Sequence, residues 1–154
     1  LSAESAIYDR QMRQFRLMGS LKVASEQGDT LNAPECIWSE SDGILRFSQG
    51  AHARSRDGEV RVPSALFSPR TRVLECMEGA AGRFEEHSFQ AGRLRWDIER
   101  RLLECDGGVA GTRRSTRYSA RSARVDLRNK AIRVNEGTIV LRMEEQREGA
   151  GASP

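Results

Sequence analysis

A repeated pattern constrains this chain more than any other feature. The stretch Phe67–Gly79 recurs four more times, and the glycines that close the copies lie 31, 29, 29 and 29 residues apart. The other copies are Tyr8–Gly19, Trp38–Gly50, Trp96–Gly108 and Val125–Gly137. A period in this range indicates supersecondary units that stack and share one continuous core.

Two apolar columns run through the copies. An apolar-charged-apolar triplet precedes each closing glycine: Phe15-Arg16-Leu17, Leu45-Arg46-Phe47, Leu74-Glu75-Cys76, Leu103-Glu104-Cys105 and Ile132-Arg133-Val134. Upstream, a small or aliphatic residue precedes a second apolar residue by two places: Ala6/Tyr8, Cys36/Trp38, Ala65/Phe67, Leu94/Trp96 and Ala123/Val125. A two-residue period predicts strands with one buried face. We expect both columns to face the same interior.

Turn residues separate the columns, so each unit reads as strand, turn, strand. A helix is the competing interpretation, because Leu94, Ile98, Leu102 and Cys105 also match helical spacing. The equivalent windows contain Gly43 or Pro69, which a helix tolerates poorly. Strands therefore suit all five units.

The composition fits one domain with a thin core. The chain has 154 residues, of which 38% are hydrophobic and 31% charged. We place the domain at residues 1–143 and a loose polar tail at residues 144–154. No stretch has the length of a membrane span and no secretory signal is visible. Because Leu1 already matches the repeat register of Leu31, a signal peptide or an anchoring helix could precede the chain.

The three cysteines do not have the spacing of a zinc site or a redox motif. Cys76 and Cys105 occupy the same place in consecutive units. If equivalent strands are neighbours, they lie within disulfide range; buried thiols are the alternative. The same stacking predicts ion pairs between Arg46 and Glu75 and between Glu104 and Arg133.

Arginine is dense near the C-terminus, at Arg113, Arg114, Arg117, Arg121, Arg124 and Arg128. A solvated strand face explains this run as well as an anionic lipid headgroup does. Nucleic acid is the weaker interpretation, since no recognition motif accompanies the arginines.

The sequence offers no site for catalysis, a metal or a cofactor. His52 and His87 lie in different units without a nucleophile or paired carboxylate at a functional spacing. The glycines of 107–111 lack the lysine and helix of a phosphate loop.

The repeat unit resembles a known family. Units such as Ala6-Ile7-Tyr8-Asp9, followed by Phe15-Arg16-Leu17-Met18-Gly19 and Val23, are similar to the OstA-like repeats of the lipopolysaccharide-transport periplasmic proteins LptA and LptC. The similarity covers residues 1 to 143. It departs from the pattern where Val125 replaces the aromatic residue and where Ser39 and Ser68 replace the aspartate.

The resemblance implies an all-β, open-ended twisted β-jelly roll built from five repeats of about 29 residues, located in the periplasm. It also implies a non-enzymatic bridge that carries lipopolysaccharide from the inner to the outer membrane. Its partners would be other Lpt jelly rolls, joined by edge-strand pairing, and the inner-membrane transporter complex if this is the anchored member. Nucleic acid is not an expected partner.

The site residues follow from this interpretation. We expect the acyl chains to contact the interior columns at Phe15, Leu17, Trp38, Leu45, Phe47, Phe67, Leu74, Trp96, Leu103, Ile132 and Val134. We expect the partner strand to dock on the edge formed by Thr138, Ile139, Val140, Leu141, Arg142 and Met143. Two alternatives stay open: a dry, closed core, and a β-solenoid or adhesin-like stack without a lipid ligand.

Overall fold

The computed structural model describes residues 1–141 and contains only strands and turns there. The strands are β1 (Ser5–Asp9), β2 (Gln14–Ala24), β3 (Thr30–Ser39), β4 (Leu45–Phe47), β5 (Ala51–Ser55), β6 (Gly58–Val62), β7 (Ala65–Ser68), β8 (Val73–Cys76), β9 (Ala80–Phe84), β10 (His87–Asp97), β11 (Leu102–Arg113), β12 (Thr116–Asp126) and β13 (Ala131–Leu141). All of their pairings are antiparallel. The expected all-β class is confirmed, and residues 93–105 form the end of β10, a turn and the start of β11 rather than a helix.

The strands form two walls that face each other. The order of hydrogen-bonded strands divides into two branches between β3 and β10, because β3 pairs with β4 near its end and with β5 near its start. One branch runs through β4, β7 and β8, and we call its side the first wall. The other runs through β5, β6 and β9, and we call its side the second wall. The rings of Phe84 in the second wall and Trp96 in the first meet edge to face, with centroids 5.3 Å apart, so the core lies between the walls.

The long strands pass from one wall to the other by bending. The registers of β2, β10 and β11 shift between Met18 and Leu21, Ala91 and Arg93, and Cys105 and Val109. Gly92 permits one of these bends, because a Cβ at this position would collide with the carbonyl oxygen of Gly107. We call the side with these bends the corner. β2 and β11 run without a break through Gly19 and Gly108, the glycines that close two of the repeats.

The aspartate of the repeat motif closes the turns of the first wall. Asp9 Oδ1 accepts a hydrogen bond from the Met12 amide at 3.0 Å, and Asp97 Oδ1 accepts one from the Arg100 amide at 2.9 Å. Ser68, one of the two serines that replace the aspartate, accepts from the Thr71 amide through its Oγ at 3.5 Å. These side-chain bonds replace backbone bonds that the turn cannot make. At Ser68 the serine therefore takes over the role of the aspartate.

Candidate functional site: the apolar slit between the walls

One row of apolar residues crosses every strand of the first wall. Each member is the direct cross-strand partner of the next, so all ten side chains lie on the same face. The row is Tyr8, Phe15, Trp38, Leu45, Phe67, Leu74, Trp96, Leu103, Val125 and Ile132. Leu45, Leu74 and Leu103 belong to this row, with one residue of the other column between each pair. We call this set the inner row.

The second wall faces the inner row with a file of residues in which larger side chains alternate with glycines. Its own cross-strand file includes Val60, Gly82, Phe89, Gly111 and Tyr118. A Cβ added to Gly82 would overlap the ring of Phe89, and one added to Gly111 would overlap the ring of Tyr118. The aromatic rings thus lie over the glycines of the neighbouring strands. Absence of a side chain at these two positions makes room for the rings in the narrow space between the walls.

Burial along the inner row divides the slit into a closed middle and two open ends. Trp96, Leu74 and Leu103 are 0% exposed, whereas Tyr8 is 45% and Trp38 is 37% exposed at the N-terminal end. At the C-terminal end, Val125 and Ile132 are only partly buried. The interior is therefore neither an open groove along its whole length nor a core closed throughout.

The open ends are lined differently. Rings stack at the N-terminal end, where the Tyr8 and Phe15 centroids are 4.6 Å apart and those of Phe15 and Trp38 are 5.5 Å apart. The C-terminal end contains a recess of about 50 Å³ between Leu103, Val125 and Ile132 of the first wall and residues of the second wall that include Phe89 and Tyr118. That volume holds a water molecule or two. An acyl chain would enter only if the walls spread.

The interior contains polar atoms that find no partner in the described part of the chain. These are Trp96 Nε1 and His87 Nδ1. Desolvation, followed by the charge of Arg113, lowers the pKa of His87, so its imidazole is neutral at pH 7. Both groups mark the slit as a place of low polarity.

The predicted lipid-contact residues fall into three groups. Leu17, Leu45, Phe47, Phe67, Leu74, Trp96 and Leu103 are buried. Phe15, Ile132 and Val134 are half-buried, and Trp38 is exposed although it is the cross-strand partner of Leu45. Lipid contact by these residues stays a prediction.

The predicted set omits the second wall. Phe84, Phe89 and Tyr118 supply rings to the same interior, and Leu21 and Leu31 are buried there. The alternation of Phe89 with Ala91 and of Tyr118 with Ala120 was the signal that could have found them.

All three cysteines are free and buried. Burial raises the pKa of Cys36 to about 11 and those of Cys76 and Cys105 to about 12, so the thiols stay protonated. Cys76 and Cys105 both face Leu94, because β10 lies between β8 and β11. The premise of the disulfide hypothesis was wrong, since equivalent strands are separated by an intervening strand.

The same separation overturns the two expected ion pairs. β7 lies between β4 and β8, and β12 lies between β11 and β13. Arg46 pairs instead with Asp42 at 3.2 Å, and Glu75 pairs with Arg95 of the adjacent strand at 3.5 Å. Cross-strand pairs form between hydrogen-bonded neighbours, and equivalent residues of successive units are not neighbours.

The arginine-rich segment lies on the outside of the walls. The side chains of Arg113, Arg114, Arg117, Arg121, Arg124 and Arg128 are all exposed. Arg113 and Arg114 pair with Glu86, and Arg121 pairs with Glu136 at 3.5 Å. This arrangement agrees with the solvated strand face expected as one of the alternatives.

The expected docking edge lies at the end of the described chain. Within residues 1–141, β13 pairs only with β12, and Val140 is 54% exposed. Arg142 and Met143, like the proposed tail, lie outside the described residues. In the described part of the chain, no helix has the length and hydropathy to cross a bilayer, and no group of three or more histidine, cysteine or acidic residues is placed to hold a metal.

Comparison with known proteins identifies the fold. No protein-family model matches the sequence, and no curated protein matches it. Among solved structures, the chain is similar to LptH of Pseudomonas aeruginosa, described as the LptA-homologous periplasmic component of the conserved lipopolysaccharide transport device. The TM-score is 0.68 at 6% sequence identity, and the match covers 76% of this chain and 96% of that one. The resemblance to LptA-type proteins that the repeats indicated is thus confirmed at the level of the fold.

Proposed function

We propose that this chain carries lipopolysaccharide through the periplasm, with the acyl chains held between the two walls. The inner row is the observation that carries this proposal, because it is a continuous apolar file that crosses every strand of the first wall and is uncovered at both ends. The fold shared with LptH supports the same role. In this proposal the fold is a five-repeat, open-ended jelly roll, and the protein is not an enzyme.

The energetics of acyl burial are compatible with a slit that is closed when empty. Each buried CH₂ contributes about 0.8 kcal/mol, so a chain of about twelve carbons gains on the order of 10 kcal/mol. Packing contacts between the walls at the C-terminal recess involve half-buried residues such as Val125 and Ile132, which lose less on separation than fully buried ones. Separation of the two walls should therefore cost less free energy at the ends of the slit than in its middle.

A bridge between membranes also requires contacts between copies or partners. β1 pairs only with β2 among the described strands, as β13 pairs only with β12, so each terminal strand has an unpaired edge. Such edges accept a further strand by β-augmentation. We propose that Thr138, Val140 and their neighbours on β13 receive the first strand of another Lpt jelly roll, and that an inner-membrane transporter complex lies at one end of the assembly.

Binding of purified lipopolysaccharide by isothermal titration tests the proposed site. Val125→Glu places a carboxylate in the recess and should weaken binding at least tenfold, because the charge would have to be buried against acyl chains. Arg124→Glu is the matched control, since it puts the same residue one place away on the exposed face of the same strand. Equal affinities of the two variants would contradict the proposal.

The edge is tested separately. Val140→Lys adds a charge of the kind that protects natural edge strands, and it should reduce head-to-tail association measured by sedimentation velocity. Thr112→Lys is the control, because Thr112 is also exposed but lies on β11, which is paired on both sides. Unchanged association of the Val140→Lys variant would exclude this edge.

A further inference from the structure

The side of the slit opposite the corner is crossed by a series of ion pairs. Here the turns of the first wall face the turns of the second wall, and we call the gap between them the mouth. Arg72 bonds Asp29 and the Gln27 side chain, Arg101 bonds both oxygens of Asp57, and Lys130 lies 3.1 Å from Glu85. We call these three contacts the mouth pairs. Each joins a first-wall turn to a second-wall turn.

The three cations occupy the same place in successive turns. Arg72, Arg101 and Lys130 are 29 residues apart and all have positive φ, at 56°, 58° and 56°. The Arg72 carbonyl accepts a bond from the Ile98 amide at 3.1 Å, and that of Arg101 accepts one from the Leu127 amide at 2.9 Å. The backbone that carries the two arginines is thus fixed to the next turn of the same wall. Only their side chains can leave the mouth.

The pairs differ in burial. The side chains of Arg72 and Asp29 are 21% and 15% exposed, and those of Arg101 and Asp57 are 23% and 11% exposed. Those of Lys130 and Glu85 are 71% and 53% exposed. The hydrogen bonds that Arg101 donates to Asp57 raise the pKa of Arg101, so this guanidinium is charged at every physiological pH. The two arginine pairs therefore close the mouth, and the lysine pair covers it loosely.

Recesses lie beside and behind the closed pairs. A polar recess of about 380 Å³ lies between the two arginine pairs and is lined by Arg56, Arg72, Ile98 and Arg101 among others. An apolar recess of about 230 Å³, lined by Val23, Leu31, Ala53, Phe67 and Ile98, adjoins the Arg72–Asp29 pair. A ligand that moved sideways from solvent into the slit would have to pass these pairs.

We propose that Arg72 and Arg101 form a headgroup site that opens the mouth by exchange of ion partners. A phosphate group of an amphiphile takes the two guanidinium groups from Asp29 and Asp57, and its acyl chains enter through the gap that this exchange leaves. The inference rests on the proposed function, because it describes how a lipid reaches the slit. It adds the ligand class that the mouth selects, which is a phosphate-bearing amphiphile rather than a neutral one.

The chemistry of the groups favours an anion as the competitor. Arginine binds phosphate through two parallel hydrogen bonds, and phosphate offers more charge than a single carboxylate. Asp29 also keeps a partner when Arg72 leaves, because the Ser25 hydroxyl lies 3.1 Å from its Oδ2. Arg56, in the same recess, supplies a third cation near the mouth.

The test compares two probes with the same chain, dodecyl phosphate and dodecyl maltoside, by isothermal titration. Arg72→Gln/Arg101→Gln should bind dodecyl phosphate at least tenfold more weakly, because charge-assisted hydrogen bonds are lost, and should bind dodecyl maltoside at least as well as the parent chain. Asp29→Asn/Asp57→Asn should bind both probes more tightly, since the cations are released and the mouth is free. A misfolded chain would expose apolar surface and could bind both probes, so each variant must also keep the near-ultraviolet circular dichroism spectrum of the parent chain.

Arg13→Gln is the matched control. Arg13 has the same turn position, with φ of 52°, but its partner Glu40 lies along the same wall at 3.3 Å and not across the mouth. It should bind both probes as the parent chain does. If the double arginine variant binds dodecyl phosphate normally while Val125→Glu abolishes binding, the headgroup site is wrong and the lipid slit stands. If the parent chain binds neither probe nor lipopolysaccharide, the proposed function itself fails.

Discussion

Trp38 and Trp96 occupy the same place in the repeat and belong to the same inner row, yet 37% of one and 0% of the other is exposed. The difference comes from what faces them. Trp96 lies in the middle of the slit and packs against Phe84 of the second wall, whereas Trp38 stacks on Phe15, its neighbour in the same wall. The middle of the slit is therefore packed as a core, while the ends leave apolar surface exposed.

The largest expected difference is in the stability of the two tryptophan variants. Trp96→Ala should lower the free energy of unfolding by about 3–5 kcal/mol, because it leaves a cavity in the closed middle. Trp38→Ala should cost about 1 kcal/mol, since much of the ring already faces water. Urea unfolding followed by circular dichroism measures both. Equal losses would show that the middle and the ends are equally packed.

A smaller difference in stability is expected between alanine variants of two glycines, Gly92 at the corner and Gly111 in the second wall. Gly92→Ala should lower the free energy of unfolding by about 1–3 kcal/mol, because the new Cβ meets the carbonyl of Gly107, which the bend holds in place. Gly111→Ala should cost less, because the Tyr118 ring over it is half-buried and can turn aside. The same urea titration ranks them. The comparison fails if Gly111→Ala is the more damaging change.

The mouth pairs should also differ in their contribution to stability, although by less: a buried pair should contribute more than an exposed one. Arg101→Gln should lower the urea midpoint more than Lys130→Gln, because it leaves Asp57 with 11% exposure and without its cation. Glu85, at 53% exposure, is solvated after Lys130→Gln, and that variant should be close to the parent chain. A larger decrease of the urea midpoint for Lys130→Gln than for Arg101→Gln would show that the lysine pair, and not the arginine pair, closes the mouth.

The smallest effect concerns pH. Burial lowers the pKa of His87, so the folded chain binds a proton less readily than the unfolded chain does. The contribution of the neutral imidazole is fully present above the ordinary histidine pKa of about 6.5 and is lost as the pH falls below it. His87→Gln should therefore lessen the decline in stability as the pH falls below about 6.5, measured by thermal unfolding. An unchanged pH dependence of the His87→Gln variant would contradict this assignment.

The repeat pattern predicted much of the local structure correctly. Residues such as Leu45, Leu74 and Leu103 alternate with charged residues, and the period of two alone assigns them to one face of a strand. The turn residues Asp9 and Asp97 were recognised by type, and they close the turns through side-chain bonds. The second-wall rings of Phe89 and Tyr118 were assigned to strands but not to the site, because their column contains small residues and glycines that weaken the apolar signal.

What the sequence determined by itself is the face each side chain takes and the place of each turn, because both depend on residues a few positions apart. The tertiary structure alone decided which strands are neighbours. It placed β10 between Cys76 and Cys105, brought Arg101 to Asp57 across 44 positions of sequence, and closed the slit in the middle while leaving its ends uncovered. Periodicity fixes orientation within a strand, but contacts between distant segments depend on how the walls fold over each other.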